Sequence, residues 1–186
     1  MKLLKLDLGC GDNCRPGYQG VDIAPLPQVR HVVDLFQFPW PFRDASVKAV
    51  WSSHFVEHIP ADLYKLDGGH LIRHDGWITF MNELWRIMAS PSQAEFVYPH
   101  LWSNRAFQDP THRQFIPPER WFYGNAQWRK VNKLDHYLIE CDFEVAQIDY
   151  AGIHPNLETR SPEAQMQAAT FDVNVISDVR VILKKA

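Results

Sequence analysis

The residues best suited by type and spacing to do chemistry cluster near the amino terminus. Lys5-Leu6-Asp7-Leu8 is a short apolar run ending at Gly9-Cys10-Gly11, the pattern of a buried strand entering a glycine turn. Two glycines one residue apart let backbone pass close to a ligand, because glycine accepts positive φ and carries no side chain. Asp22 stands at the tip of the next run, Gly20-Val21-Asp22-Ile23. A carboxylate there can accept hydrogen bonds from two ribose hydroxyls, as acidic residues do in nucleotide-binding α/β folds. Open parallel sheets bind ligands at the carboxyl ends of their strands, where Gly9, Asp22, Asp34 and Ser52 would converge. Cys10 reads as a small apolar filler of the turn and not as a nucleophile, since no histidine lies close in sequence to activate it.

Two further clusters carry titratable groups. Asp109-Pro110-Thr111-His112 sets an acid and an imidazole three apart across a proline-stiffened turn. A neutral acceptor must lose a proton, and histidine titrates in the useful range. His112 is therefore the candidate general base, oriented by Asp109, with His54 and His100 in reserve. His54-Phe55-Val56-Glu57-His58 also matches the His-x-x-Glu-His pattern of a zinc peptidase family. The motif follows a strand and no third ligand is evident, so no metal is expected, and Glu57 and His58 are read as groups that cap and orient a helix.

The elements needed to position these groups follow from apolar periodicity. Strands are expected at Lys5–Leu8, Gly20–Ile23, His31–Leu35, Lys48–Ser52, Ala94–Tyr98 and Phe143–Tyr150. Helical spacing runs through Phe80, Met81, Leu84, Trp85, Ile87 and Met88, and again through Val131, Leu134, Tyr137, Leu138 and Cys141. Lys65–Gly76 reads as an inserted surface loop. From Val173 to Leu183 apolar and polar residues alternate, the mark of a half-exposed antiparallel strand. Only 11 positions separate Gly11 from Asp22, whereas a parallel crossover with its helix normally takes a dozen or more. The first crossover helix must be a stub or absent, and Ala24–Arg30, with Pro25 and Pro27, is equally lean. The expected architecture is α/β: a Rossmann-like, mostly parallel seven-stranded sheet with an antiparallel C-terminal strand, truncated first crossovers and a single domain over residues 1–186.

Asp7-Leu8-Gly9-Cys10-Gly11, Val21-Asp22-Ile23 and Ser52-Ser53-His54-Phe55-Val56-Glu57-His58-Ile59, in that order, resemble the class I S-adenosylmethionine-dependent methyltransferases, in particular the small type 11-like group. Glu83-Leu84-Trp85-Arg86-Ile87-Met88 is similar to that group's helix before its fifth strand, and Asp109-Pro110-Thr111-His112-Arg113 to a loop in several members. The resemblance spans Lys2 to Lys184. It implies S-adenosylmethionine as cofactor: Gly9, Cys10 and Gly11 beside its methionine part, Asp7 beneath the turn, Asp22 with Ile23 at the ribose, Asp34 at the adenine amino group, Leu35 against the base, and Ser52, Ser53 and His54 along the other side. The chain departs from the group at Ala89-Ser90-Pro91-Ser92, where Lys-Pro-Gly-Gly is usual, and in its short first crossover.

Composition narrows the alternatives. The 186 residues are 46% apolar and 22% charged, ordinary for a globular chain and unlike a disordered one. A net charge of −3 gives no general attraction to polyphosphate. Basic and aromatic residues interleave between Pro99 and Leu134, from Arg105 to Lys133, which could suit nucleic acid; a solvated face over satellite core is favoured. Three cysteines without a Cys-x-x-Cys pair form neither a disulfide framework nor a zinc ribbon. The run Met1–Leu6, broken by Lys5 and Asp7, is no signal peptide, and no apolar stretch approaches the roughly 18 residues that span a bilayer. The expectation is a cytoplasmic enzyme acting on a small-molecule acceptor, with no membrane and no favoured nucleic-acid partner. Rival readings are a cofactor-binding module without catalysis and an NAD-dependent oxidoreductase; the latter wants a third glycine where Cys14 stands.

Overall fold

A computed structural model describes residues 2–186. Seven strands form one sheet in the order β3-β2-β1-β4-β7-β9-β8. Strands β1 (Leu4–Leu8), β2 (Gln19–Asp22), β3 (Val29–Val32), β4 (Val47–Ser53) and β7 (Met88–Pro99) are parallel. Strand β9 (Asp178–Lys185) inserts antiparallel between β7 and β8 (Glu144–Ala151). The mostly parallel sheet with one antiparallel C-terminal strand is the one its apolar runs predict. Strands β5 (Asp62–Asp67) and β6 (His70–Asp75) form a separate hairpin, and the helices are α1 (Gly76–Ile87), α2 (Arg105–Gln108), α3 (Ala126–Val131), α4 (Pro155–Glu158) and α5 (Pro162–Phe171).

The two faces of the sheet differ because side chains alternate along each strand. Register sets Leu8, Ser52, Phe96 and Val181 in one row, on the core side with Leu6, Val50 and Ala94. This face buries Phe80, Met81, Leu84 and Ile87 of α1, a helix that Asp75 starts by accepting the Ile78 N–H at 2.8 Å. The opposite row is Asp7, Trp51, Glu95 and Ile182. There the Arg15 guanidinium lies 4.0 Å over the Trp51 ring and 3.1 Å from Glu95. Arg180 bridges Glu95 at 2.6 Å and Asp149 at 3.2 Å. A charged lattice thus lies on the face where a doubly wound fold would carry helices.

The crossovers are leaner than expected. Among the described residues, the connections β1–β2, β2–β3 and β3–β4 hold no helix at all. The last is fastened to α1 by side chains instead: Glu83 accepts the Trp40 N–H at 2.5 Å, and Arg86 donates to the carbonyls of Trp40 and Phe42. Arg86 also pairs with Glu83 at 2.6 Å and Asp44 at 2.5 Å, which raises its pKa further. Trp40 and Phe42 are buried as core plugs in the place of a crossover helix.

Four expectations need correcting. The strand placed at His31–Leu35 is shifted to Val29–Val32, and Val33–Leu35 belongs to a turn that Asp34 closes by accepting the Phe36 N–H at 2.9 Å. Lys65–Gly76 is the β5–β6 hairpin with the start of α1 rather than a loop, closed by Gly68 and Gly69 at φ +53° and +84°, the positive pair that a tight hairpin turn requires. The helix expected through Val131–Cys141 stops at Val131. Its backbone is satisfied from the side: Asn82 binds Leu138, Glu140 and Cys141, and the buried Arg129 binds the carbonyls of Ile139 and Cys141. The C-terminal alternation becomes strand only from Asp178.

Candidate functional site

The glycine turn after β1 is held from below and from beside. The Gly9 N–H donates to the Val21 carbonyl at 2.8 Å, and the Asp22 carboxylate accepts the N–H groups of Gly11 and Ala24, each at 2.9 Å. Asp7, buried under the turn, accepts the Arg15 N–H at 2.6 Å, and burial raises its pKa against that hydrogen bond. Gly9 takes φ +68° and Gly11 +50°, conformations open to glycine at little cost.

These elements edge a cleft of about 400 Å³, within the range of small-molecule sites. One end is walled by Asp22, Ile23, Asp34 and Leu35, the middle by Gly9 and Phe55, and the far end by His58, Thr111 and Arg113. The convergence of Gly9, Asp22 and Asp34 expected from the strand tips is present. Each oxygen of Asp22 accepts one backbone bond, which leaves a carboxylate lone pair on each for a ligand hydroxyl. Asp34 accepts from Phe36 N–H and the Gln37 amide.

The remaining predicted residues lie elsewhere. Ser52 is buried and donates to the Leu8 carbonyl at 3.0 Å, joining β4 to β1. Cys10 faces inward, its thiol pushed up to about 11 by burial first and the nearby Asp7 next, so it is the filler its setting suggests. Ser53, Cys10 and Gly11 do not line the cleft. His54 adopts φ +55° and turns away from it: Nδ1 lies 3.2 Å from Glu57 and Nε2 3.8 Å from Asp178. The segment Val56–His58 is a 3-10 turn, so His54 and His58 do not share a helix face and the His-x-x-Glu-His spacing makes no two-histidine site. His100 is buried against the Tyr150 ring, remote from the cleft lining.

The loop carrying Asp109 and His112 does reach the site. Arg113 and Gln114 N–H both donate to the Glu57 carbonyl, at 2.8 and 2.9 Å, stitching it to the 3-10 turn. His112 is mostly buried, its Nδ1 donating to the Ala106 carbonyl at 2.9 Å. Its Nε2 lies 3.9 Å from Asp109 and 4.0 Å from Glu57. The first distance is too long for the orienting hydrogen bond expected of Asp109. Asp109 is instead committed to Thr111, accepting its hydroxyl at 2.6 Å and its N–H at 2.7 Å, which holds its carboxyl below the ordinary range.

Phe55 is the functional position that sequence reasoning quoted without a role. A Cβ on Gly9 would lie 2.5 Å from Phe55 Cδ2, and the ring stacks on Phe36 at 5.6 Å between centroids. Only the contact across 46 positions shows why Gly9 has to be glycine. In the basic-aromatic stretch, Trp121 belongs to the main core and Arg129 is buried, both internally bonded.

No family model and no curated protein sequence matches the chain. Solved structures do. A SAM-dependent methyltransferase from Archaeoglobus fulgidus superposes with TM-score 0.61 at 19% identity, over 98% of this chain and 86% of that one. An S-adenosylmethionine-dependent methyltransferase from Mesorhizobium loti gives 0.52 at 11% identity, over 99% and 91%. Geranyl diphosphate C-methyltransferase from Streptomyces coelicolor, solved with Mg2+, geranyl-S-thiolodiphosphate and S-adenosyl-L-homocysteine, gives 0.50 at 13%, over 98% and 69%. The fold is that of the class I S-adenosylmethionine-dependent methyltransferases.

Proposed function

We propose that residues 1–186 form one methyltransferase domain that transfers a methyl group from S-adenosylmethionine to a small-molecule acceptor. The observation carrying this reading is the cleft at the carboxyl ends of β1, β2 and β4, where Gly9, Asp22, Asp34 and Leu35 meet. Asp22 would hold the ribose hydroxyls, Asp34 and the backbone after it the adenine edge, with Ile23 and Leu35 against the base. Gly9 would admit the methionine part past the Phe55 ring. The solved relative that holds S-adenosyl-L-homocysteine on this fold adds support for the cofactor.

Methyl transfer is an in-line displacement: the acceptor's electron pair forms a bond to the methyl carbon as the C–S bond breaks and its pair stays on sulfur. The acceleration comes chiefly from positioning, worth up to about 7–11 kcal/mol. The acceptor would enter from the end bearing His58, Thr111 and Arg113. His58 is the imidazole that reaches the cleft there, with His112 directly behind it, ring centroids 4.8 Å apart. His54 is spent on Glu57 and Asp178. The Arg113 guanidinium favours an acceptor bearing an oxyanion or a carbonyl beside the methylated atom.

The test is calorimetric titration with S-adenosylhomocysteine. Asp22→Asn keeps one of the two turn acceptors and loses the charge-assisted ribose bonds, so affinity should fall roughly 10- to 100-fold. Equal affinity in that variant rejects the ribose assignment, and no binding by the parent chain rejects the function. A second reading, a cofactor-binding module without catalysis, is favoured by the Phe55 ring standing over Gly9. Methyl-labelled S-adenosylmethionine incubated with a metabolite extract separates the two, because an enzyme labels a small molecule and a pure binder labels none.

A further inference from the structure

The fold brings together three side chains that neither the glycine turn nor the ribose site uses. Glu57 and His58 sit on the 3-10 turn after β4, and His112 arrives on the loop stitched to that turn by the Arg113 and Gln114 N–H groups. One ligand atom from each lies within 4.8 Å of the others. We propose that Glu57, His58 and His112 form a binding site for a divalent transition-metal ion at the acceptor end of the cleft.

The chemistry of each group supports this independently. Glu57 is 2% exposed, yet its Oε2 has no hydrogen-bond partner among the described residues. A buried carboxylate oxygen left unpaired is costly, and a cation is one of the few things that removes the cost. The other oxygen is steadied by His54 Nδ1 at 3.2 Å. His112 donates Nδ1–H to the Ala106 carbonyl. That bond leaves a lone pair on Nε2, which is the atom facing Glu57. A backbone carbonyl behind one ring nitrogen is the usual companion of a histidine that binds metal through the other.

His58 has the same arrangement. Its Nδ1 bonds the Thr111 hydroxyl at 3.1 Å, and that hydroxyl donates in turn to Asp109 at 2.6 Å. The chain Asp109–Thr111–His58 holds the tautomer with Nε2 free to bind a cation. This gives Asp109 a role that does not require it to touch His112.

Two imidazoles and one carboxylate suit zinc or another first-row divalent ion. Ligand atoms at about 2.1 Å from a tetrahedral ion stand roughly 3.4 Å apart, so His58, only partly buried, must move inward by an ångström or so. Three protein ligands leave at least one position open, and His58 and Thr111 border the cleft. The open position would take an oxygen of the acceptor. This last step rests on the methyltransferase reading: an acceptor hydroxyl bound to the ion gives up its proton to solvent, and the resulting oxyanion attacks the methyl carbon. The metal site itself does not depend on it.

The experiment uses the full chain stripped with a chelator and titrated with Co2+, followed by competition with Zn2+. The expected result is one ion per chain, visible in the cobalt absorption bands. Glu57→Gln and His58→Ala should abolish that binding, Thr111→Val should weaken it roughly 10- to 100-fold, and the exposed-hairpin variant His70→Ala/His74→Ala should retain it. His58 is the most accessible ligand, so His58→Ala keeps the test valid where Glu57→Gln or His112→Ala fails to fold. No ion taken up by the parent chain, or uptake that survives His58→Ala, overturns the site. S-adenosylhomocysteine titrated into the same samples separates the two readings: a chain that takes one ion but no S-adenosylhomocysteine ends the proposed function and leaves the metal site standing.

Discussion

Gly9→Ala and Gly11→Ala are the same chemical change two residues apart, in the same turn, yet the structure assigns them different costs. Both positions have left-handed φ, +68° and +50°, so each alanine suffers a conformational penalty of about 1–2 kcal/mol. At Gly11 nothing lies within 4 Å of the added carbon, and the penalty ends there. At Gly9 the new Cβ meets Phe55 Cδ2 at 2.5 Å and its Cβ and Cγ at 2.7 Å. These are near-backbone atoms of a ring wedged against Phe36 and cannot swing aside like the tip of a long chain. Overpacking of this kind costs a further ~1–3 kcal/mol, giving about 2–5 kcal/mol for Gly9→Ala. At roughly 2–4 °C per kcal/mol for a chain of this size, melting should fall by about 2–8 °C for Gly11→Ala and about 4–20 °C for Gly9→Ala. Urea unfolding of both variants gives the free energies directly. A double-mutant cycle sharpens the comparison: Phe55→Ala removes the Cγ and Cδ2 contacts but keeps the Cβ at 2.7 Å, so with it in place the Gly9→Ala penalty should shrink yet stay above that of Gly11→Ala. Equal penalties in the parent chain, or no coupling to Phe55, would refute the account of why this turn needs its first glycine.

Three further outcomes follow from the core and its titratable groups. Glu83→Ala strands the Trp40 N–H and removes one of the two carboxylates paired with Arg86, at roughly 3 kcal/mol, which differential scanning calorimetry should read as a melting point lower by about 6–12 °C. Burial lowers the pKa of His100 from its ordinary 6.5. A depressed imidazole contributes stability above its unfolded pKa and loses it as pH falls through the folded one, so unfolding free energy should drop below about pH 6.5, and His100→Gln should flatten that limb. The Cys141 thiol, fully buried and pushed up to about 12 by burial, should resist iodoacetamide at pH 8 in the folded chain and react after urea unfolding; mass spectrometry of the labelled peptides checks this.

What could be read from the sequence was what depends on neighbours in the chain. The apolar runs that end in Gly9-Cys10-Gly11 and Asp22 specify strand and turn within a dozen residues, and the sheet carries both to the cleft. The 11-residue spacing likewise limits the first crossover helix to a stub at most, by length alone. What replaces the missing helices depends on residues 43 to 80 positions apart: Glu83 reaching Trp40, and Arg15 reaching Glu95. No local pattern encodes those pairs. The same limit explains the spurious helix at Val131–Cys141, where the spacing is helical but Val131 is 69% and Leu138 86% exposed. An apolar stripe makes a helix only when a core receives it, and here Asn82 and Arg129 take the backbone groups first.

The limit applies most strongly at the acceptor end of the cleft. Glu57 and His58 were legible as a pair, and His112 as a candidate base, but the distance of about 54 residues between them hid that they face one another. Histidines four apart share one ion only on an α-helix, and this segment is a 3-10 turn that sends His54 to Asp178 instead. Once the Arg113 and Gln114 N–H groups pin the loop to the Glu57 carbonyl, the assignments change together. His112 becomes a partner of Glu57 and His58, and Asp109 acts through Thr111. The motif whose spacing suggested a metal keeps two of its three titratable residues and exchanges His54 for a histidine from a distant loop.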